Sequence, residues 1–310
     1  MGTEQKISLN VIQDLSIDDL LNDSQKSITE IQTPTIDKKL YQSKEYVSYS
    51  ELNTWVECSW RHKLKYLDKI NLDGPSEHTE FGQVMHDAME SYLKTKTFPD
   101  NGVLRSMLKE KFDSLIKTNP MIEPKLQDKD WANQIDVILN QVPDFLDITF
   151  PGWEYVTVEE ELLEPIEGAE KKFKGYIDGV IKVPKKKQKK DSTITQYEYV
   201  ILDHKTCSYF WNSEKRQDQN KQMQLVLYKH YYALKHSIPE KDIKCAFLLL
   251  SRSGKERCCI VPVSVGPVLD ERVQDILKRF INTLKKNYFI KNYDSCKYCV
   301  YRKTEHCPTS

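Results

Sequence analysis

Asp178 and the triplet Asp203-His204-Lys205 carry the strongest chemistry in this chain. Asp178 ends the alternating stretch Phe173-Lys174-Gly175-Tyr176-Ile177, and Asp203 follows the apolar run Tyr199-Val200-Ile201-Leu202. If the two stretches form a hairpin, both carboxylates reach neighbouring positions. Like charges held that close repel unless a cation lies between them, and carboxylate oxygens suit Mg2+ or Mn2+. Residues two apart on a strand share a face, so Lys205 would deliver an ammonium beside that cation. His86 and Glu90, four apart, share one side of a helix. His86 offers an imidazole nitrogen to the metal, and Glu90 offers support or a ligand for a second ion. Gln224 and Tyr228 repeat the same spacing downstream. Taken alone, each feature has a plain alternative: Asp-x-Lys is commonly a surface ion pair, and Gln224 with Tyr228 a helix surface. Together they predict a bound divalent cation that acidifies a coordinated water, with the Lys205 ammonium placed to orient that water.

These side chains need a scaffold, and the hydrophobic pattern describes one. Ser48 and Glu51 have capping-box spacing, and a helix follows with Leu52, Trp55, Val56, Leu64 and Leu67 on or near one side. Apolar residues at helical spacing predict a second helix over 80–93, with Phe81, Val84, Met85, Ala88, Met89 and Tyr92 as its stripe. Further helical patterns cover 103–116 and 131–146. After Pro151 the period changes, and 155–163, 173–183 and 197–205 read as three consecutive strands. A helix over 219–236, strands over 245–251 and 258–265 joined at Ser253-Gly254, and a last helix over 269–288 complete the order. The fold class is α/β or α+β: a central mixed sheet flanked by helices, with an added helical section.

Composition sets the limits. The chain has 310 residues, of which 39% are hydrophobic and 10% aromatic, enough for a sizeable core. Lys+Arg and Asp+Glu are 46 each, which excludes a uniformly basic binder but leaves room for a local basic groove. No apolar run approaches membrane-spanning length, and the first residues lack a secretory pattern. A reducing, cytoplasmic setting is therefore expected. Residues 1–45 read as a flexible acidic arm, or a peptide that folds on a protein partner. Residues 46–310 read as one domain: a helical section to about 150, a core over about 151–290 and a Cys-rich tail over 291–310.

In that compartment, spaced cysteines read as metal ligands rather than disulfides. Cys296 and Cys299 form a C-x2-C pair, Cys307 follows, and Cys58 lies far upstream. Four thiolates suit Zn2+, and His306 can stand in for Cys307. Cys207, Cys245, Cys258 and Cys259 sit in or beside strands as core thiols. Two basic stretches are candidates for phosphate contact. Lys185, Lys186, Lys187, Lys189 and Lys190 lie at the tip between the second and third strands; Arg61, His62, Lys63 and Lys65 lie on the first helix. Tyr209, Phe210 and Trp211 either stack on bases or pack into the core.

In type and order these motifs resemble the RecB-type branch of the PD-(D/E)XK nuclease superfamily. The resemblance runs through Ser48-Tyr49-Ser50-Glu51-Leu52, Cys58, Tyr66-Leu67, Phe81-Gly82-Gln83-Val84-Met85-His86 with Glu90, Gly175-Tyr176-Ile177-Asp178, Leu202-Asp203-His204-Lys205-Thr206 and Gln224-Leu225-Val226-Leu227-Tyr228. It implies a restriction-endonuclease-like core in which His86, Asp178 and Asp203 bind the divalent metal. The His204 carbonyl would be a further ligand and Lys205 the catalytic lysine, with Gln224 and Tyr228 lining the DNA-proximal side. Its iron–sulfur members, AddB-like and CRISPR-adaptation nucleases, further imply that Cys58, Cys296, Cys299 and Cys307 hold a [4Fe–4S] cluster. The lysine-rich insertion between Asp178 and Asp203 departs from the family pattern. The implied activity is a DNA nuclease acting on single strands or ends in recombination, repair, replication or CRISPR adaptation. A non-catalytic nucleic-acid or protein-binding module and an RNA-directed enzyme are the alternatives.

Overall fold

The computed structural model describes residues 44–123, 126, 130–185 and 195–308. Six strands form one mixed sheet: β1 (Tyr46–Ser48), β2 (Glu154–Pro165), β3 (Lys172–Pro184), β4 (Tyr197–Cys207), β5 (Ile243–Ser251) and β6 (Cys258–Val263). The longer helices are α1 (Tyr49–Glu57), α3 (Glu77–Thr95), α4 (Asn101–Thr118), α5 (Trp131–Leu139), α6 (Val142–Thr149), α8 (Gln219–His236) and α9 (Pro267–Lys286). Two single-turn helices, α2 (Ser59–His62) and α7 (Ser213–Arg216), are interspersed.

The strand order is β1-β3-β4-β5-β6, with β2 on the remaining edge of β3. β4 and β5 are parallel and joined through α8. β5 is central and reads as a nearly unbroken apolar run, as expected of a strand covered on both faces. One core cluster packs α1, α8 and α9 on one side of the sheet, around Phe173, Ile177, Ile201, Phe247, Tyr231 and Phe280. The other packs α3, α4, α5 and α6 against Ile181, Val200, Leu202 and Leu248. Each buried apolar side chain in such a layer stabilises by roughly 1.5–3 kcal/mol.

Three details differ from the sequence pattern. β1 is too short to carry a periodic signal, yet it pairs in parallel with the start of β3. The first helix does not run on to Leu67. It breaks at Cys58, whose backbone is extended at φ −162° and ψ 112°, and resumes as α2 and a wide π-type turn, Lys63–Leu67. The 131–146 pattern is two helices, interrupted ahead of Pro143.

The capping box at Ser48 forms as its spacing predicts, with Glu51 N–H donating to Ser48 Oγ and Ser48 N–H donating to Glu51 Oε2 at 3.3 Å. Lys186, Lys187, Lys189 and Lys190 lie outside the described residues, as do residues 1–43 of the expected arm. Among the described residues, no helix is long and apolar enough to cross a membrane.

Candidate active site

The sheet opens where the chemistry lies. β2 follows one edge of β3 along nearly its whole length. The other edge pairs with β1 at 172–174 and with β4 from Gly179 to Pro184. Residues 175–178 therefore lie in a gap between two partner strands. The last rung of the β3–β4 ladder is Gly179↔Leu202, one residue short of Asp178 and Asp203. The expected neighbouring placement of the two aspartates is thus what the register yields.

Beyond that rung, the Asp178 carboxylate takes over from the backbone. Its Oδ2 accepts the His204 N–H at 2.7 Å. Its Oδ1 lies 3.2 Å from His86 Nε2, presented by α3. The His86 and His204 rings meet edge to face with centroids 5.9 Å apart. Ligand atoms of His86, Asp178 and His204 all lie within 4.8 Å of one another. Asp203 stands outside that tight group; its Oδ2 lies 2.6 Å from Lys205 Nζ, two residues along the strand.

Asp203 is fully buried, and its Oδ1 has no hydrogen-bond partner. Both ring nitrogens of buried His204 are likewise without a hydrogen-bond partner. Buried polar atoms are almost always satisfied, so Asp203 Oδ1 and the two His204 ring nitrogens, three atoms without a partner in two consecutive residues, mark a place built for something else. Oxygen and imidazole donors of this kind fit a divalent cation.

Electrostatics follow from the packing. Burial pushes the Asp203 carboxyl up to about 7; Lys205 opposes the shift and Asp178 adds to it. Burial also pushes the His204 imidazole down to about 4. The hydrogen bond to Asp178 pushes His86 up to about 9, against the effect of burial. For Asp178, burial alone would raise the pKa, but the His86 hydrogen bond and the His204 and Lys205 charges outweigh it and hold the carboxyl below its usual range. Burial alone would lower Lys205, and the Asp203 and Asp178 charges overcome that and raise it.

Glu159 escapes the sequence pattern. It lies between the rungs Val158↔Gly179 and Glu160↔Ile177, across from Asp178, with a left-handed φ of +48°. Its Oε1 is 3.1 Å from His86 Nε2. Its only signal was the interruption of strand alternation by Glu159-Glu160-Glu161. Glu90, by contrast, accepts from Lys94 at 2.7 Å. Gln224 Nε2 donates to the Tyr228 hydroxyl at 3.2 Å, and both side chains are buried rather than on a helix surface. Asp203 and Asp178 both act on the Tyr228 phenol, whose pKa is raised mainly by burial.

Among the described residues, the cations of the two basic stretches are paired with acids. Lys185 Nζ lies 2.5 Å from Asp242. Arg61 and Lys65 pair with Asp73, Lys63 pairs with Asp68, and His62 is buried beside Glu51. The aromatic triplet divides. Trp211 is buried with its ring 5.0 Å from Phe247, Phe210 packs at the core's edge, and Tyr209 is 74% exposed.

At the other end of α1, Cys58, Cys296, Cys299 and Cys307 line one small cavity with Trp60, Leu64 and Tyr301. His306 is not among its lining residues; its carbonyl accepts from Trp60 Nε1 at 3.2 Å. Asn292 N–H lies 3.4 Å from Cys58 Sγ, and Ser295 Oγ donates to the Glu57 carbonyl at 2.6 Å. Burial raises the Cys307 thiol, and the other three cysteines act on it in the same direction. Cys207, Cys245 and Cys258 are buried and Cys259 is half-buried.

Comparison with known proteins places this geometry. The profile of the PD-(D/E)XK nuclease superfamily matches residues 46–307. No curated protein matches the sequence. Among solved structures, the chain is similar to a protein from Eubacterium rectale provisionally named an exonuclease. Identity is 14% over 88% of this chain and 94% of that one, with a TM-score of 0.49. It is also similar to the protein SSO0001, at 14% identity over 78% of this chain and 91% of that one, with a TM-score of 0.30. The superfamily profile spans the whole sheet and its flanking helices, and the chain belongs to the PD-(D/E)XK nuclease superfamily.

Proposed function

We propose that this protein is a DNA nuclease that requires Mg2+ or Mn2+ and acts on single strands or free ends. The observation that carries the reading is the buried Asp203 carboxylate paired with Lys205, on the strand whose next N–H is held by Asp178. His86, Asp178, Asp203 and His204 would hold the cation. Such an ion supplies an acidified water and neutralises charge on the scissile phosphate. The residues do the rest. The fork between β3 and β4 fixes Asp178 relative to His204. The Lys205 ammonium stands where it can orient a nucleophilic water or donate to a phosphoryl oxygen. Glu159 would support His86 from the outer side, while Glu90 is engaged by Lys94. The RecB-type branch, with roles in recombination, repair, replication or CRISPR adaptation, is the subclass that the motif order favours.

The decisive assay follows labelled single- and double-stranded DNA with Mg2+, Mn2+ or EDTA. Cleavage that needs the metal and disappears in Asp203→Asn and Lys205→Ala supports the reading; cleavage unchanged in both variants overturns it.

The cysteine cavity supports a second part of the reading: a [4Fe–4S] cluster held by Cys58, Cys296, Cys299 and Cys307, with zinc as the alternative occupant. Its role would be structural, joining the start of the domain to its tail. Anaerobically purified protein should contain iron and sulfide and absorb broadly near about 400 nm. A folded, iron-free protein carrying zinc would identify the alternative. Residues 1–45 would serve as a partner-docking arm, outside the domain of residues 46–310.

A further inference from the structure

Past Lys205 the strand β4 runs into a groove of about 500 Å3, lined by Thr206, Tyr209, Trp211, Asn212, Lys215 and Arg252 among others. None of its lining residues among those described is acidic. Trp211 forms a rigid floor, buried against Phe247. Lys215 Nζ stands 5.3 Å from the Trp211 ring centroid. The Arg252 guanidinium stacks over Trp131 at 4.9 Å and donates to Ser208 Oγ at 2.5 Å. The Arg252 backbone N–H bonds the Cys207 carbonyl at 2.9 Å, which fixes Arg252 to the end of β4. Tyr209 projects at the rim, the most exposed of the three consecutive aromatics.

We propose that this groove seats the unpaired nucleotides flanking the scissile phosphate, with Tyr209 stacking on a base and Lys215 and Arg252 taking backbone phosphates. The inference rests on the nuclease reading above and adds the place and the residues that hold the strand. Three observations commit the groove to a single polynucleotide strand. Its charge is of one sign. It begins one residue past Lys205 on β4. Its exposed ring can stack only on a base freed from pairing, whereas a duplex offers its phosphates but not its base faces. DNA and RNA share this chemistry.

The experiment measures binding by fluorescence anisotropy in EDTA, which stops turnover. The probes are labelled oligothymidylate and oligouridylate of about a dozen nucleotides and a blunt DNA duplex. Tyr209→Ala should weaken single-strand binding on the order of tenfold and Tyr209→Trp should retain it. Duplex binding should change little in either. Lys215→Gln should flatten the log–log salt slope for the single strand by about 0.7. The tighter of the two oligonucleotides identifies the source of the strand. The proposal is overturned if Tyr209→Ala binds the oligonucleotides like the wild type, if it loses strand and duplex equally, or if the wild type binds neither oligonucleotide. Cleavage by Asp203→Asn separates the two readings. Loss of cleavage with an indifferent Tyr209 removes the groove alone, and intact cleavage with a sensitive Tyr209 removes the metal site alone.

Discussion

The backbone N–H of His204 donates to Asp178 Oδ2 at 2.7 Å, immediately past the last rung between β3 and β4. A side chain thereby completes a ladder that the backbone abandons, and the carboxylate is held in place by the strand it faces. Asp178→Asn keeps an oxygen acceptor for that N–H but loses the charge. Cleavage should fall by about 10²–10³-fold while the melting temperature changes little. Asp178→Ala should lose cleavage and also about 1–3 kcal/mol of stability, because His204 N–H is left without its acceptor. Thermal melts and single-turnover cleavage of both variants check the distinction.

Asp203 is a buried carboxylate whose Oδ2 pairs with the Lys205 ammonium at 2.6 Å. Asp203→Asn should cost the metal-free protein about 1–3 kcal/mol, because the lysine loses its charged partner. The wild type should gain about 2.7 kcal/mol of stability at a Mn2+ concentration a hundred times the dissociation constant. Asp203→Asn should show little of that gain. Melting curves with and without Mn2+ give the comparison.

Glu51 serves three partners from one buried position. It closes the capping box at Ser48, sits 2.6 Å from Lys44 and lies 3.7 Å from the buried His62 ring. Burial alone would raise its pKa, but the neighbouring His62 ring and the Lys44 ammonium outweigh it and hold the carboxyl below its usual range. A depressed carboxyl stabilises the fold above its unfolded pKa of about 4.3, and that contribution fades as pH falls through the folded value. Glu51→Ala should therefore cost about 3 kcal/mol at neutral pH. The gap from the wild type should narrow in acid denaturation.

His230 on α8 lies 3.3 Å from Asp270 on α9, with Glu240 3.6 Å away. The Asp270 carboxylate beside it raises the imidazole above its ordinary value, against burial. A raised histidine stabilises the fold fully below its unfolded pKa of about 6.5, and the contribution disappears as pH rises through the folded value. His230→Asn should lower the melting temperature at pH 6 and have a smaller effect at pH 9. Melting curves at the two pH values decide it.

Much of the site was legible because its residue types are costly to bury and rarely recur at matched spacing. Asp178 and Asp203 stood at corresponding points of two strand patterns, and the register placed them side by side. The helix Gln219–His236 has the boundaries its pattern predicts, because Asp218 caps it and a left-handed Ser237 ends it. Glycine near the site also has a physical reason: a Cβ at Gly175 would stand 2.7 Å from the Tyr228 ring, and one at Gly179 2.5 Å from Leu93. What the pattern could not show depends on distant partners. β1 exists because β3 offers an edge, and three residues cannot declare a period. The break at Cys58 is hidden by apolar residues that keep helical spacing across it. Glu159 is one of three consecutive glutamates, and the irregular rungs of β2 alone set it beside His86.

The hydrogen bonds joining Cys58 and Ser59 to Ile290 and Asn292 have a consequence for synthesis. They span some 230 residues, so the break after the opening helix is closed only once the tail has been made, although Leu52 and Tyr49 already dock that helix on the sheet and on α8. Shortening the chain to end before Ile290 would thus loosen the Cys58–Ser59 break at the front of the domain as well as its back.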